Sequence, residues 1–403
     1  MEKYNSTLSK DQIYRIICQL LAHEISLQRK SPVAWQQINQ WDMHRPIYDN
    51  GSGADSIEIN CLQIRVEQFF QLNRSNPPPL LSNVDSLNQW SEAIYDYFMS
   101  NSIYIGFLTS GTTGTPKHCI HNLKTLQEEI SYLAELFKAS KRIVSLVPCY
   151  HIYGFLFTVL LPLKLKVNLL DAKALSPIQL SNQLASGDLV IGYPDYWKYC
   201  INNSLVIPKN IHIVSSTSQC PDYVKNAMIS LSNTSSFIDI YGSSETGGIG
   251  YKIWPEKYYT LFPFWENINS LLHRKSLEIT SNHFSMPDRM IWVNDRQFEV
   301  LERYDNCVQV AGINVSVTKV ERYLCQHPAV KACCVRKMCE DEGDRLKAFI
   351  MIEPTHNQKE LILSLTHWVN KFLTAVERPK HFTCGSELPT NEYGKLTNWS
   401  ITS

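Results

Sequence analysis

The sequence lacks both a surplus of charge and a long apolar run. Of its 403 residues, 38 are basic and 38 are acidic, and this balance gives no indication of a nucleic-acid or anionic-membrane partner. No apolar stretch approaches the length of a membrane span, and the N-terminus lacks the apolar core of a signal peptide. We therefore expect a cytoplasmic protein of two or three domains that binds neither nucleic acid nor membrane.

The cysteines lack a pattern. None of the 12 forms a C-x-x-C pair, and Cys333 and Cys334 are adjacent, which suits neither a zinc site nor a disulfide framework. Scattered cysteines of this kind are typical of reduced residues in cytosolic proteins. We expect no zinc site among them.

The sequence does contain a loop rich in glycine and hydroxyl groups. Residues 109–117 follow an apolar run that predicts a buried strand, and a helical pattern follows them over residues 123–137. Glycine lets backbone N–H groups turn inward, hydroxyls donate to phosphate oxygens, and Lys117 adds positive charge. The order differs from the common G-x-x-x-x-G-K-[ST] loop, because Thr115 and Pro116 separate Gly114 from Lys117. The alternative is an ordinary surface loop.

This loop resembles the phosphate-loop signature of the adenylate-forming enzymes, which include acyl-CoA and aryl-CoA synthetases, peptide-synthetase adenylation domains and luciferases. The resemblance implies a multilayered α/β fold and ATP-dependent activation of a carboxylic acid. It places on the phosphates of ATP the residues Thr109, Ser110, Gly111, Thr112, Thr113, Gly114 and Lys117.

A second signature of the family follows a predicted strand over residues 237–240. An aromatic face can stack on adenine, a hydroxyl can contact the α-phosphate, and a carboxylate can hold Mg²⁺. By resemblance Tyr241 and Gly242 bind the nucleotide, Ser244 and Glu245 act in catalysis with Glu245 as the metal ligand, and Gly247 lines the substrate pocket. The alternative is a strand-end turn with a solvated glutamate.

Two looser matches lie between the signatures. His151 corresponds to the family residue that closes over the acid, and Tyr153 belongs to the same pocket segment, although a lone histidine is more often a packed structural residue. Thr217 and Ser218 stand where the family has a glycine-rich segment against adenine.

The C-terminal third supplies the remaining matches. By resemblance Asp288 binds the ribose hydroxyls, Arg303 contacts the nucleotide, Asp305 is a hinge, and Lys395 in an L-P-x-x-x-x-G-K loop is the adenylation catalyst. The family's basic hinge residues are replaced by Gln309 and Asn314. These replacements motivate an alternative function, namely a catalytically inactive scaffold protein that binds a nucleotide.

The predicted organisation has three parts. Residues 1–100 form a helical N-terminal segment that resembles a carrier protein, with three helices indicated by apolar periodicity. An adenylation core over 101–304 alternates strands and helices, with strands over 143–147 and 211–214, and a mobile α+β lid over 305–403 contains helices over 317–324 and 361–373. The first part is shorter than in most of the family. Residues 53–57 resemble the motif that carries phosphopantetheine in acyl carrier proteins; the alternative is that Asp55 or Ser56 caps a helix.

The function implied by the resemblance has two steps. A carboxylic acid, aryl or medium-chain, reacts with ATP and Mg²⁺ to form an acyl-AMP, and a thiol then takes the acyl group. The acceptor is either CoA or the phosphopantetheine of a carrier protein. Residue patterns leave both the acid and the acceptor open.

Overall fold

The structure is a computed structural model, and it describes residues 8–31, 33, 35–74, 81, 85–101, 103–109, 117–203, 205–218, 220–231, 236–269, 271–275, 283–284, 288–303, 307–339, 342–352, 358–389 and 397–401. Contacts divide the chain into two units. The first covers Met1–Leu108, His118–Phe284 and Trp292–Phe298, and the second covers the rest. The domain boundaries expected at residues 100 and 304 stay predictions.

The α-helices in chain order are α1 (Lys10–Arg29), α2 (Trp35–Ile38), α3 (Ser56–Phe70), α4 (Leu87–Ser100), α5 (Leu123–Leu136), α6 (Ile152–Phe155), α7 (Leu161–Leu165), α8 (Pro177–Gln183), α9 (Pro194–Asn202), α10 (Asp222–Ser230), α11 (Val317–Leu324) and α12 (Gln358–Phe372). A π-helical turn, Leu156–Leu160, joins α6 to α7.

The strands are β1 (Tyr104–Thr109), β2 (Lys117–Asn122), β3 (Arg142–Ser145), β4 (Asn168–Asp171), β5 (Asp188–Gly192), β6 (His212–Ser215), β7 (Ser236–Ser243), β8 (Gly247–Ile253), β9 (Tyr259–Leu261), β10 (Trp265–Ile268), β11 (Leu271–Arg274), β12 (His283–Phe284), β13 (Asp288–Asn294), β14 (Gln297–Arg303), β15 (Cys307–Val310), β16 (Ile313–Ser316), β17 (Ala332–Lys337), β18 (Leu346–Met351) and β19 (Pro379–Gly385).

Three long helices near the N-terminus pack together, as their apolar periodicity predicts. Helix α1 contacts both α3 and α4 and buries one continuous apolar face that includes Ile13, Ile17 and Leu20. The side chain of Asp55 accepts hydrogen bonds from the N–H groups of Ile57 and Glu58 and so caps α3. The predicted alternative, a capping role for this motif, is confirmed, whereas modification of Ser56 stays untested.

A nine-stranded sheet, most of whose strands lie in the first unit, has the order β13-β14-β9-β8-β7-β6-β5-β3-β4. Strands β4, β3, β5, β6 and β7 pair in parallel. Since β5 is buried at every position and connecting helices lie between these strands in the chain, this half has the α/β layering that the sequence predicts.

The strand–helix alternation predicted for residues 101–304 stops at β7. From there β8, β9 and β14 join the sheet in antiparallel register, and β10, β11 and β12 form a separate small sheet. Strands β7, β8 and β9 are consecutive in the chain, and residues 244–246 and 254–258 join them without a crossover helix. Strand β2, which pairs with β1 after the phosphate loop, is also absent from the sequence predictions.

The second unit is a small α+β fold, as expected. Strands β17, β18 and β19 make a three-stranded sheet, β15 pairs with β16, and helices α11 and α12 add to the same apolar core. That core includes Val320, Leu324, Leu346, Ile350 and Leu365, each fully buried. Among the described residues, no helix is both long and apolar enough to cross a membrane.

Candidate active site

The residues expected around the acid and the nucleotide follow strands that end at one edge of the central sheet. Because β3, β5, β6 and β7 are parallel, the segments that follow their carboxyl ends meet at that edge. Those segments carry the pocket residue His151, the adenine candidates Thr217 and Ser218, and Ser244 of the second signature. The structure therefore brings these candidates to one side of the first unit.

The second signature is a tight turn between β7 and β8. Ser243 pairs with Gly247 in the register of the two strands, and the Thr246 hydroxyl lies 3.3 Å from the Ser243 nitrogen, whose N–H donates to it. Gly247 has a φ of 74°, a left-handed conformation that favours glycine. Ser244 and Glu245, at the tip of the turn, are half-buried.

Two buried side chains form hydrogen bonds to the backbone of this turn, and sequence reasoning missed both. His121 on β2 has its Nε2 2.7 Å from the carbonyl oxygen of Ser244, so this nitrogen carries the hydrogen and donates. Glu129 on α5 accepts a 3.0 Å hydrogen bond through Oε1 from the N–H of Gly248. Burial lowers the pKa of His121 and raises the pKa of Glu129 to about 7.

A pattern in the sequence could have found them. Glu129 occupies the apolar stripe of α5 beside Leu126, Ile130 and Leu133, all of which are buried. His121 has the same inward parity on β2 as buried Cys119. A carboxylate or imidazole on a buried face usually has a polar partner, and here the partner is the signature turn.

Arg274 and Trp265 bind the same turn from the small sheet. The Arg274 guanidinium is buried and donates to the carbonyl oxygens of Thr246, at 3.5 Å, and Thr125, at 2.9 Å. It also donates to Glu128 Oε2 at 3.2 Å. The Trp265 indole N–H donates to the carbonyl oxygen of Gly248 at 2.8 Å. The turn is thus fixed by polar contacts from four elements.

Tyr241, the expected adenine platform, belongs to an aromatic cluster. Its ring centroid lies 5.7 Å from that of Tyr259 and 5.8 Å from that of Phe298. The Tyr259 hydroxyl donates to Asp239 at 3.0 Å, and burial raises the pKa of Asp239 to about 6. Such packing restricts the ring of Tyr241, which suits a stacking surface.

The segment after β6 keeps a backbone shape that glycine usually supplies. Thr217 is exposed and has a φ of 81°, a strained conformation for a β-branched residue. The neighbouring Ser216 hydroxyl donates to the Ile240 carbonyl oxygen at 2.8 Å and ties this segment to β7. Ser218 is half-buried beside it.

The two pocket candidates differ in what their polar atoms do. The Tyr153 hydroxyl is 3.0 Å from the Gly192 carbonyl oxygen and 3.2 Å from that of Val214, so it donates its hydrogen to backbone oxygens of β5 and β6. Tyr153 can therefore offer an acid mainly its ring. His151 is exposed on one side. Desolvation by the surrounding protein, together with His23 and Arg65, lowers the pKa of its imidazole, which is neutral at pH 7.

Helix α1 supports the pocket segment. Gln19 accepts a 2.8 Å hydrogen bond from the N–H of Cys149 through Oε1, and its amide donates to Asp171 at 3.0 Å. The Tyr150 hydroxyl lies 3.3 Å from Nδ1 of His23, and the Tyr150 ring lies 4.7 Å from that of His151. The N-terminal segment thus supports the residues that are expected to line the acid pocket.

The remaining candidates are placed less fully. Asp288 opens β13 and is half-buried, and Lys117 opens β2 and is exposed. Thr109 ends β1 and Arg303 ends β14, but only their backbones are described. Ser110, Gly111, Thr112, Thr113, Gly114, Asp305 and Lys395 lie outside the described residues.

A divalent cation fits the signature turn. Within the described part of the chain, no group of three or more metal-ligating side chains occurs. Mg²⁺ needs no such group, because it binds one or two carboxylates together with water and substrate phosphates. Glu245, half-buried at the tip of a turn between two serine hydroxyls and a threonine, offers one carboxylate of this kind.

Comparison with known proteins gives consistent matches over most of the chain. Residues 77–263 match the family model of the AMP-binding enzymes, and residues 319–395 match that of the AMP-binding enzyme C-terminal domain. A 4-coumarate–CoA ligase of Halorhodospira halophila is 31% identical over 400 residues, covering 96% of this chain and 99% of the relative. One of Rhodobacter capsulatus is 31% identical over 365 residues, covering 88% and 91%.

Solved structures share the fold. A malonyl-CoA ligase bound to methylmalonyl-CoA and AMP aligns with a TM-score of 0.56 at 16% identity, covering 70% of this chain and 71% of that one. An o-succinylbenzoate CoA synthetase of Bacillus subtilis aligns with a TM-score of 0.55 at 16% identity, covering 72% and 67%.

Proposed function

The chain belongs to the adenylate-forming superfamily of AMP-binding enzymes, and from this membership we propose that its acid is a hydroxycinnamate of the 4-coumarate type. It is an AMP-forming acid–thiol ligase that uses ATP to convert a small carboxylic acid to an acyl-AMP and then transfers the acyl group to a thiol. The identity of the acid is the new element of the proposal.

The observation that carries the choice of acid is the name shared by three relatives. Each is called 4-coumarate–CoA ligase, each is 31% identical, and this chain covers 84% or more of each. The fold neighbours, whose names refer to malonate and succinylbenzoate, share only 16% identity. Sequence likeness therefore favours an aryl acid over the alternative, a medium-chain acid.

The electrostatics of the pocket segment support the same choice. Desolvation by the surrounding protein lowers the pKa of His151, so its imidazole is neutral at pH 7. Arg65, a cation near this imidazole, is paired with Glu24 at 3.1 Å. The buried rings of Tyr150 and Tyr153 add apolar surface. A segment with aromatic rings and no uncompensated cation suits an aromatic tail better than a second carboxylate.

We assign the nucleotide to the two signatures. Thr109, Ser110, Gly111, Thr112, Thr113, Gly114 and Lys117 hold the departing pyrophosphate, Tyr241 and Gly242 bind adenine with Thr217 and Ser218, and Asp288 and Arg303 bind the ribose and phosphates. The carboxylate oxygen attacks the α-phosphorus in line, and the bond from that phosphorus to pyrophosphate breaks. The protein contributes mainly position and charge neutralisation.

Ser244, Glu245 and Lys395 act at the reacting centre in this proposal. The Ser244 hydroxyl donates to the α-phosphate, Glu245 holds Mg²⁺, and the Lys395 ammonium bridges oxygens of the acid and the α-phosphate. Mg²⁺, when bound, supplies positive charge against the developing negative charge on the phosphates. A swing of the C-terminal unit about Asp305 then removes Lys395 so that the thiol can enter.

The thiol acceptor is CoA itself in this proposal, and a carrier-protein phosphopantetheine is the alternative that the test distinguishes. The helical segment over 1–100 supports the pocket through Gln19 and His23, a role that needs no modified serine. The cytoplasmic location expected from the sequence stays a prediction.

The test is acid-dependent exchange of labelled pyrophosphate into ATP with four acids: 4-coumarate, cinnamate, octanoate and malonate. We expect 4-coumarate to give a kcat/KM at least about tenfold above octanoate and malonate, the discrimination that about 1.4 kcal/mol supplies. Mass spectrometry with CoA and with a holo acyl carrier protein then identifies the acceptor. Preference for octanoate or malonate would refute the proposed acid, and acylation of the carrier protein alone would refute CoA.

A further inference from the structure

His121 and Glu129 bind opposite ends of the Ser244–Gly248 turn and take no part in the mechanism described above. His121 donates to the carbonyl oxygen of Ser244 at 2.7 Å, and Glu129 accepts from the N–H of Gly248 at 3.0 Å. Both are buried, and both come from the β2–α5 segment.

The burial of Glu129 is costly for a residue that only fills space. Its Oε1 has the Gly248 N–H as partner, whereas its Oε2 has no hydrogen-bond partner among the described residues. Leucine would occupy the same position on the apolar stripe of α5 without burying a polar atom. What the carboxyl supplies, and leucine cannot, is an acceptor for the Gly248 N–H.

The two contacts hold parts of the turn that face different ligands in the proposed function. Ser244, held by His121, precedes Glu245, so this end faces the α-phosphate and the metal in the proposed function. Gly248, held by Glu129, follows Gly247, which lies against Ile152 of α6: a Cβ on Gly247 would be 3.9 Å from Ile152 Cδ1. Ile152 directly follows His151, so this end borders the acid pocket.

We propose that His121 and Glu129 are positioning residues that fix the two ends of the turn separately, His121 for the nucleotide and its metal and Glu129 for the acid. The inference rests on the roles proposed above for Ser244, Glu245 and Gly247. Each side chain acts through backbone it holds in place, and neither touches a reacting atom.

Variants that remove each contact should give different kinetic signatures. In His121→Ala the Ser244 carbonyl loses its donor, and we expect the KM for ATP and the Mg²⁺ requirement to rise about tenfold while the KM for the acid changes less than about threefold. In Glu129→Leu we expect the reverse: a KM for the acid raised about tenfold and a KM for ATP within about threefold of wild type.

Conservative variants and a surface control separate positioning from simple destabilisation. Glutamine at 121 can donate to Ser244 and glutamine at 129 can accept from Gly248, so His121→Gln and Glu129→Gln should return the affected KM to within about threefold of wild type. Glu135→Leu, on the exposed part of α5, should leave both constants unchanged. Thermal unfolding of all variants shows whether activity merely follows stability.

The proposal would be overturned if His121→Ala and Glu129→Leu each raised the KM for ATP and the KM for the acid equally, in step with a lowered Tm. Calorimetric titration with Mg·ATP gives a second readout that needs no acid: His121→Ala should weaken binding about tenfold and Glu129→Leu should not. If wild-type protein binds Mg·ATP but activates none of the four acids, the proposed acid is wrong. The positioning inference then stands or falls on this titration, and weaker binding in both variants refutes it.

Discussion

The carboxylate of Glu129 lies directly beneath Gly247. A Cβ built on Gly247 would come within 2.7 Å of Glu129 Oε2, closer than non-bonded atoms of these kinds approach. The backbone of Gly247 also has a φ of 74°, so a side chain there meets both a steric and a conformational obstacle.

Gly247→Ala should therefore lower the free energy of unfolding more than an alanine placed at a glycine with a similar left-handed backbone but no close neighbours. Gly53 has a φ of 65° and nothing within 4 Å of its Cβ position, so Gly53→Ala should cost about 1–2 kcal/mol of unfolding free energy. Gly247→Ala should cost about 1–3 kcal/mol more because of the clash. Denaturant unfolding measures both, and equal losses would show that Glu129 yields to the added methyl group.

The stability of Glu129→Gln relative to wild type, measured as the free energy of unfolding, should increase as pH rises. The folded-state pKa of Glu129 is raised from 4.5 to about 7, so the wild-type protein is most stable when this carboxyl is protonated, below pH 4.5, and loses that stability as pH rises through 7. Glutamine does not titrate. Over pH 5 to 8 the difference in unfolding free energy should shift toward Glu129→Gln, by up to about 3 kcal/mol.

The same pH series can also contradict this prediction. A stability difference between Glu129→Gln and wild type that stays constant from pH 5 to pH 8 would mean that the carboxylate is stabilised within the fold, by Arg274 for example. Glu135→Gln, an exposed change on α5, is the control for the pH series.

Tyr153→Phe should lower stability and leave acid binding nearly unchanged. The Tyr153 hydroxyl is engaged by the carbonyl oxygens of Gly192 and Val214, so its loss should cost about 1–3 kcal/mol. The ring, which is the part of Tyr153 proposed to contact the acid, remains, and the KM for the acid should stay within about twofold. Tyr199→Phe, at an exposed tyrosine, is the stability control. A large rise in KM at full stability would instead show that the hydroxyl contacts the acid.

Glu245→Ala should raise the Mg²⁺ concentration needed for half-maximal adenylation and lower its rate at least about tenfold, since the variant removes the proposed metal ligand. Pyrophosphate exchange measured across a Mg²⁺ series checks this. Glu266→Ala removes an exposed carboxylate that pairs with Lys275, and it should leave the Mg²⁺ series unchanged. An unaltered metal dependence in Glu245→Ala would refute the assignment.

Lys395→Ala should separate the two half-reactions. Acyl-AMP formation should fall at least about a hundredfold because the charge proposed to bridge the acid and the α-phosphate is lost, while thioester formation from supplied acyl-AMP and CoA should remain near wild type. Lys371→Ala, an exposed lysine on α12, serves as control. Comparable losses in both half-reactions would count against a lid that withdraws Lys395 between steps.

Much of the fold follows from local pattern. Helices α1, α3, α4, α5, α11 and α12 occur where their apolar periodicity places them, and the strand-like runs before His151, Thr217 and Tyr241 are β3, β6 and β7. The antiparallel half after β7 could not be predicted in the same way, because its strands are short and share turns rather than helical connections. Strands β8 and β9 are consecutive in the chain, but the partner of β14 is β9, from which it is separated by the whole small sheet and β13.

The sequence alone determined the chemistry of this enzyme. The order of glycine, hydroxyl, carboxylate and lysine groups in residues 109–117, 241–248 and 388–395 identifies the superfamily, because phosphate, metal and carboxylate each demand particular donor atoms at close spacing. Only the tertiary structure decided what supports that chemistry. His121 and Glu129 lie more than a hundred residues from the turn they hold, and a contact at that separation depends on how sheet and helix pack.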